Sequence, residues 1–133
     1  MTQQSIVLQE RIATINGFQR TVEHVKHLVA ELDGSRAAPM ATITNLCASI
    51  ERELSQLRQR ALVTDLGTLG DMAGSMSVLA GRSIGIALKI RGLTEGVQSL
   101  EFELAAALAK TLARVDAARA GPPAPGSPPT TAP

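Results

Sequence analysis

The stretch Leu66–Ile90, LGTLGDMAGSMSVLAGRSIGIALKI, decides how this chain is read. It holds Gly67, Gly70, Gly74, Gly81 and Gly85, yet no proline and no cluster of polar loop residues. Only Asp71, Arg82 and Lys89 carry charge. Leu69, Met72, Met76, Leu79, Ala87 and Ile90 mark one helical face, and Gly70, Gly74, Ser77, Gly81 and Gly85 mark an adjacent one. The polar positions form a narrow line that Val78 and Ile86 interrupt. A helix apolar on nearly all sides is a buried helix. Five glycines cost it about 4–5 kcal/mol of helix propensity relative to alanine, which packing must offset. Small residues at this spacing let a second backbone approach closely. The spacing serves equally well for tight packing inside one chain and for a symmetric contact between copies.

Upstream, Leu8, Ile15, Phe18, Val22, Val25, Val29 and Leu32 alternate by threes and fours, with Arg11 at the missing step. Such a heptad seam predicts a first helix over about 2–32. Asp33-Gly34 reads as its C-cap, with glycine free to turn left-handed. After a short connection, with Ser35 as N-cap and Pro39 in the first turn, a second helix is expected over about 37–63. Its seam is Ile43, Cys47, Ile50, Leu54, Leu57 and Ala61. A connection that short makes the two helices antiparallel neighbours. Thr64 or Asp65 suits the cap of the third helix, although the second and third also read as one helix kinked near Gly67. Gly92 and Thr94 read as the next break. A fourth helix is then expected over about 95–120, with Val97, Leu100, Leu104, Leu108, Leu112 and Val115 as its stripe. Gly121 with Pro122 and Pro123 stops it. The segment 121–133, GPPAPGSPPTTAP, lacks any large apolar residue and reads as a disordered, inert tail.

Composition supports an all-α chain: one helical domain over 1–120, a four-helix antiparallel bundle or two stacked hairpins, with loops near Gly34, Gly67 and Gly92. Of 133 residues only Phe18 and Phe102 are aromatic, so the core is built from aliphatic side chains, which suits helices better than sheets. A formal net charge of +1 gives no field for nucleic acid or an anionic membrane. The single cysteine, Cys47, excludes an internal disulfide and fits a reducing, cytoplasmic setting. The N-terminal residues have neither the basic nor the apolar region of a signal peptide.

Site chemistry finds little support. His24 and His27, with Glu23 and Glu31, have the spacing of bundle metal ligands, but the seam register points both imidazoles outward. Pairs Glu23–Lys26 and Glu23–His27 are expected on that surface. Histidine phosphotransfer domains also display a histidine on a bundle, but with a lysine three residues on, and His24 and His27 are followed there by His27 and Ala30. Cys47 sits in a seam as a small hydrophobe, with no histidine base beside it. Glu51, Glu53, Glu101 and Glu103 form two E-x-E pairs whose members diverge by about 200° on a helix, so neither is a carboxylate dyad. No catalytic residue, cofactor or metal site is expected.

The function expected is that of a non-enzymatic assembly or adaptor protein in the cytoplasm, working through helix–helix contacts as a homo-oligomer or with a helical partner. Gly70, Gly74, Ser77, Gly81 and Gly85 would provide close approach, and Met72, Met76 and Leu79 adaptable contacts. The alternative is a membrane-active protein that inserts 66–90. Against it stand Arg82 and an uncharged run, Met72–Gly81, of only ten residues, where a span takes about 18–20. A further alternative is a histidine-based metal or phosphotransfer bundle.

Overall fold

A computed structural model describes residues 3–120, all in helices and short turns. The segment 121–133, read above as a disordered tail, lies outside the described residues. Four helices follow in order: α1 (Gln3–Gly34), α2 (Met40–Leu62), α3 (Gly67–Gly81) and α4 (Ile86–Ala120). The fold is the expected all-α four-helix bundle. Each helix packs against its two neighbours in a closed ring, α1 on α2, α2 on α3, α3 on α4 and α4 on α1. The tightest pairings are α2 with α3 and α1 with α4.

The seams of α1 and α2 form the core as their spacing dictates. Leu8, Ile15, Phe18, Val22, Val25, Val29 and Leu32 are all buried on α1. Cys47, Ile50, Leu54, Leu57 and Ala61 are buried on α2, with Ile43 packed at the margin. From α4 the core takes Ile90, Leu93, Val97, Leu100 and Leu104. The expected stripe of α4 continues to Leu108, which is partly buried against the core. Two turns beyond Leu104 the inward position belongs to Thr111, fully buried, while Leu112 is 46% exposed. Thr111 tolerates burial because its hydroxyl donates to the Ala107 carbonyl at 2.8 Å.

The turns depart from expectation in instructive ways. No described glycine has a left-handed backbone. Gly34 is the last residue of α1 rather than a C-cap beyond it, and Pro39, not Ser35, stands at the N-cap of α2. Between α2 and α3 the chain makes a true turn, so the two are not one kinked helix. Thr64 builds that turn: its hydroxyl donates to the Ala61 carbonyl at 2.8 Å and accepts from the Leu66 amide at 3.1 Å. It therefore caps nothing on α3, whose N-cap is Leu66.

The largest correction concerns the central stretch itself. It is not one helix: α3 ends at Gly81, and α4 begins at Ile86, where the Gly85 carbonyl accepts the Lys89 amide at 3.0 Å. Arg82-Ser83-Ile84-Gly85 is the turn, and the expected break at Gly92-Thr94 lies inside α4. The physical reason is visible at Gly92. A Cβ there would stand 2.6 Å from Cδ2 of Leu79, so this glycine makes room for a neighbouring helix and does not end its own.

Candidate interaction surfaces

Helix α3 is held through opposite uses of size. Toward α2 it is small. A Cβ on Gly70 would lie 3.3 Å from the Ala61 Cβ and 3.5 Å from the Arg58 carbonyl oxygen. A Cβ on Gly74 would meet Arg58 Cδ at 2.8 Å, and one on Gly81 would meet the Glu51 carboxylate oxygens at 3.1 and 3.2 Å. Ser77, in the same row, donates its proton to the Glu51 carbonyl at 3.2 Å. The Ser55 hydroxyl, 2.8 Å away, therefore donates to Ser77. Toward α4 the helix is large: Met76 and Leu79 fill the notches left by Gly96 and Gly92.

The residues expected at an interface thus have partners within the chain. Gly70, Gly74, Ser77 and Gly81 face α2, Met76 and Leu79 face α4, and Met72 packs at the edge of the core. Gly85 is apart from them, in the turn before α4, with open space around its Cβ position. The outward line of α3 is Asp71, Ser75 and Val78.

Helix α4 carries a second apolar row that sequence reading passed over. Phe102 is 73% exposed, and Ala105, Ala109 and Leu112 follow it at alternating spacings of three and four, all exposed. Phe102 and Ala109 lie nearly opposite Leu93, Val97, Leu100, Leu104 and Thr111 on the helix, and Ala105 and Leu112 lie about 100° to the side of them. The signal is present in the sequence: Phe102 falls outside the inward stripe, and Ala105 and Ala109 continue from it at helical spacing.

His24 and His27 are exposed. His27 lies 3.5 Å from Glu23, the expected neighbour, but Lys26 reaches across to Glu101 of α4 at 3.5 Å instead of pairing with Glu23. His24 lines an open groove between α1 and α2 with Arg20, Arg60 and Glu53. Among the described residues no group of three or more His, Cys, Asp or Glu side chains is placed to hold a metal ion.

Three polar contacts tie the ends of the bundle. At one end Arg11, in the gap of the α1 seam, pairs with Asp65 of the α2–α3 turn and donates through Nε to the Thr111 hydroxyl at 3.1 Å. The Arg11 guanidinium, chiefly through its hydrogen bond, holds the Asp65 carboxyl below its ordinary value; partial desolvation opposes this, and the charge of Arg11 assists it. At the other end Lys89 is only 8% exposed, and its Nζ lies 3.8 Å from Cys47 Sγ. Sequence reading placed Lys89 on the outward polar line. The turn at 82–85 resets the register, and Lys89 falls inward beside Ile90.

No described helix is long and apolar enough to cross a membrane. The chain matches no family model, no curated protein and no solved structure.

Proposed function

We propose that this protein is a non-enzymatic helical assembly or adaptor protein of the cytoplasm that associates with itself through helix–helix contacts. The observation that carries the reading is the outward row of α4, Phe102, Ala105, Ala109 and Leu112. It repeats the three-four spacing of a helix–helix seam on a face that no other described helix covers. Its alanines allow close approach, and Phe102 and Leu112 supply most of the apolar area at its two ends. The small face of α3 is already used against α2, so the contact between copies is assigned to α4. In a symmetric pair, antiparallel α4 helices would set Phe102 of each copy toward Leu112 of the other.

Light scattering tests this directly. The parent should have a molar mass that is a multiple of 13.9 kDa, and Phe102→Glu or Leu112→Glu should return it to the monomer with helicity unchanged. A monomeric parent at micromolar concentration would refute the proposal.

A further inference from the structure

The end of the bundle that holds the α1–α2 and α3–α4 turns contains a cavity of about 640 Å3, open on one side. That lies within the range of about 300–1,000 Å3 common to small-molecule sites. Its lining is mixed in a specific way. Met40, Ile43, Ile84 and Ile86 give it apolar walls, and Lys89 lines it from α4. Lys89 is more than nine-tenths buried, and among the described residues its ammonium has one hydrogen-bond partner, the Cys47 thiol. A thiol is a weak acceptor, and an ammonium has three protons to give. Buried cations ordinarily have a carboxylate partner. None of the described carboxylates lies within ion-pair distance of Lys89. Glu51, the one carboxylate in the lining, rests against Gly81 instead.

The charges around the cavity leave a surplus of one sign. Arg36, at the rim, is paired with Asp33 at 2.8 Å. Arg82, also at the rim, has no carboxylate partner among the described residues. Setting Lys89 and Arg82 against Glu51 leaves one net positive charge in a mostly apolar recess.

We infer that this cavity binds a small monoanionic carboxylate with an apolar body. The carboxylate would accept from Lys89 Nζ, with Arg82 completing its neutralisation, and the hydrocarbon part would lie along Met40, Ile43, Ile84 and Ile86. A charge-assisted hydrogen bond to a largely buried ammonium is the strong form of the interaction. A multiply charged phosphate is a poorer match, because one buried donor serves it and the walls are hydrocarbon. The inference stands independently of self-association through α4, whose outward row lies on a different part of the surface.

Octanoate is a suitable probe, with 1-octanol as the same chain lacking the charge. Titrated into the full-length 15N-labelled protein, octanoate should bind saturably, one per chain, with amide shifts centred on residues 40–47 and 82–90. Octanol should bind at least tenfold more weakly. Lys89→Met, which keeps the length and volume of the side chain, should lose at least tenfold in octanoate affinity while its circular dichroism matches the parent. Should that variant not fold, Ile84→Glu, which sets a negative charge at the mouth without touching the core, should cause the same loss. A titration that does not saturate, shifts centred elsewhere, equal affinity for octanol, or parental affinity in either folded variant would each overturn the assignment.

Discussion

Met76 occupies the space that a side chain on Gly96 would need: a Cβ there would stand 2.7 Å from the methionine Sδ and 2.8 Å from both its Cγ and its Cε. Three atoms of one buried side chain are involved, so rotation of its far end alone does not relieve the clash. Gly96→Ala gains about 1 kcal/mol of helix propensity and loses about 1–3 kcal/mol to overpacking, so it should destabilise the fold on balance. Gly17 is the control. Its Cβ would find only Arg20 Nη2, at 4.0 Å. Gly17→Ala should therefore raise the thermal midpoint by a few degrees, for a gain of about 0.5–1 kcal/mol. Thermal unfolding of the two variants should move in opposite directions. Equal shifts would mean that the notch at Gly96 is not tight.

The small face of α3 makes a graded prediction. At Gly74 the obstacle is Arg58 Cδ at 2.8 Å, part of an exposed and flexible side chain. Gly74→Ala should displace that side chain and, with a gain of up to about 1 kcal/mol in helix propensity, leave stability unchanged or slightly raised. At Gly70 the obstacles are the Ala61 Cβ and a backbone carbonyl, neither of which can rotate away. Gly70→Ala should be the less stable of the two variants in urea unfolding, although the residues are one turn apart on the same face.

These contrasts also show where sequence reading succeeds and where it stops. The seams of α1 and α2 were legible to the residue, because large aliphatic side chains at a three-four spacing have one economical arrangement. The glycines were not. A glycine at the end of an apolar run fits a cap, a turn or a notch equally, and which it is depends on a side chain in another helix. Gly92 reads as punctuation in the sequence, yet in the fold it receives Leu79, and Gly85 reads as part of a helix face although it belongs to a turn. Lys89 escaped for the same reason: its neighbour Cys47 is 42 positions away. Thr111 was missed because a stripe read by hydrophobicity alone steps from Leu108 to Leu112, past a hydroxyl that satisfies itself on its own helix.

Ser77 supplies a further test. It is 8% exposed, and its hydroxyl links the Glu51 carbonyl to Ser55. Ser77→Ala removes both bonds; the Glu51 carbonyl keeps its place in the α2 ladder, and the half-buried Ser55 hydroxyl loses its partner. The expected cost is about 1–2 kcal/mol. Ser55→Ala should cost less, since Ser77 keeps its bond to the carbonyl. In a double-mutant cycle the two changes should be less than additive, because they share one hydrogen bond. Strict additivity would mean that the Ser55–Ser77 contact contributes nothing to stability.

Asp65 gives the fold a defined dependence on pH. The Arg11 hydrogen bond lowers the folded-state value of its carboxyl below the ordinary 3.8, assisted by the charges of Arg11 and Arg114. A group whose value falls on folding binds fewer protons in the native state, so its contribution is complete above the ordinary value. The contribution is lost as pH falls from there through the lowered folded value. The carboxylate is 65% exposed, which limits the effect to less than about 1 kcal/mol in physiological salt. Asp65→Asn should therefore be slightly less stable than the parent near pH 7 in urea unfolding. The gap should narrow as the parent carboxyl is protonated toward pH 2, and it should also narrow at pH 7 in about 1 M salt, where the Debye length is about 3 Å. A gap that survives both acid and salt would assign the role of Asp65 to the geometry of the α2–α3 turn rather than to its charge.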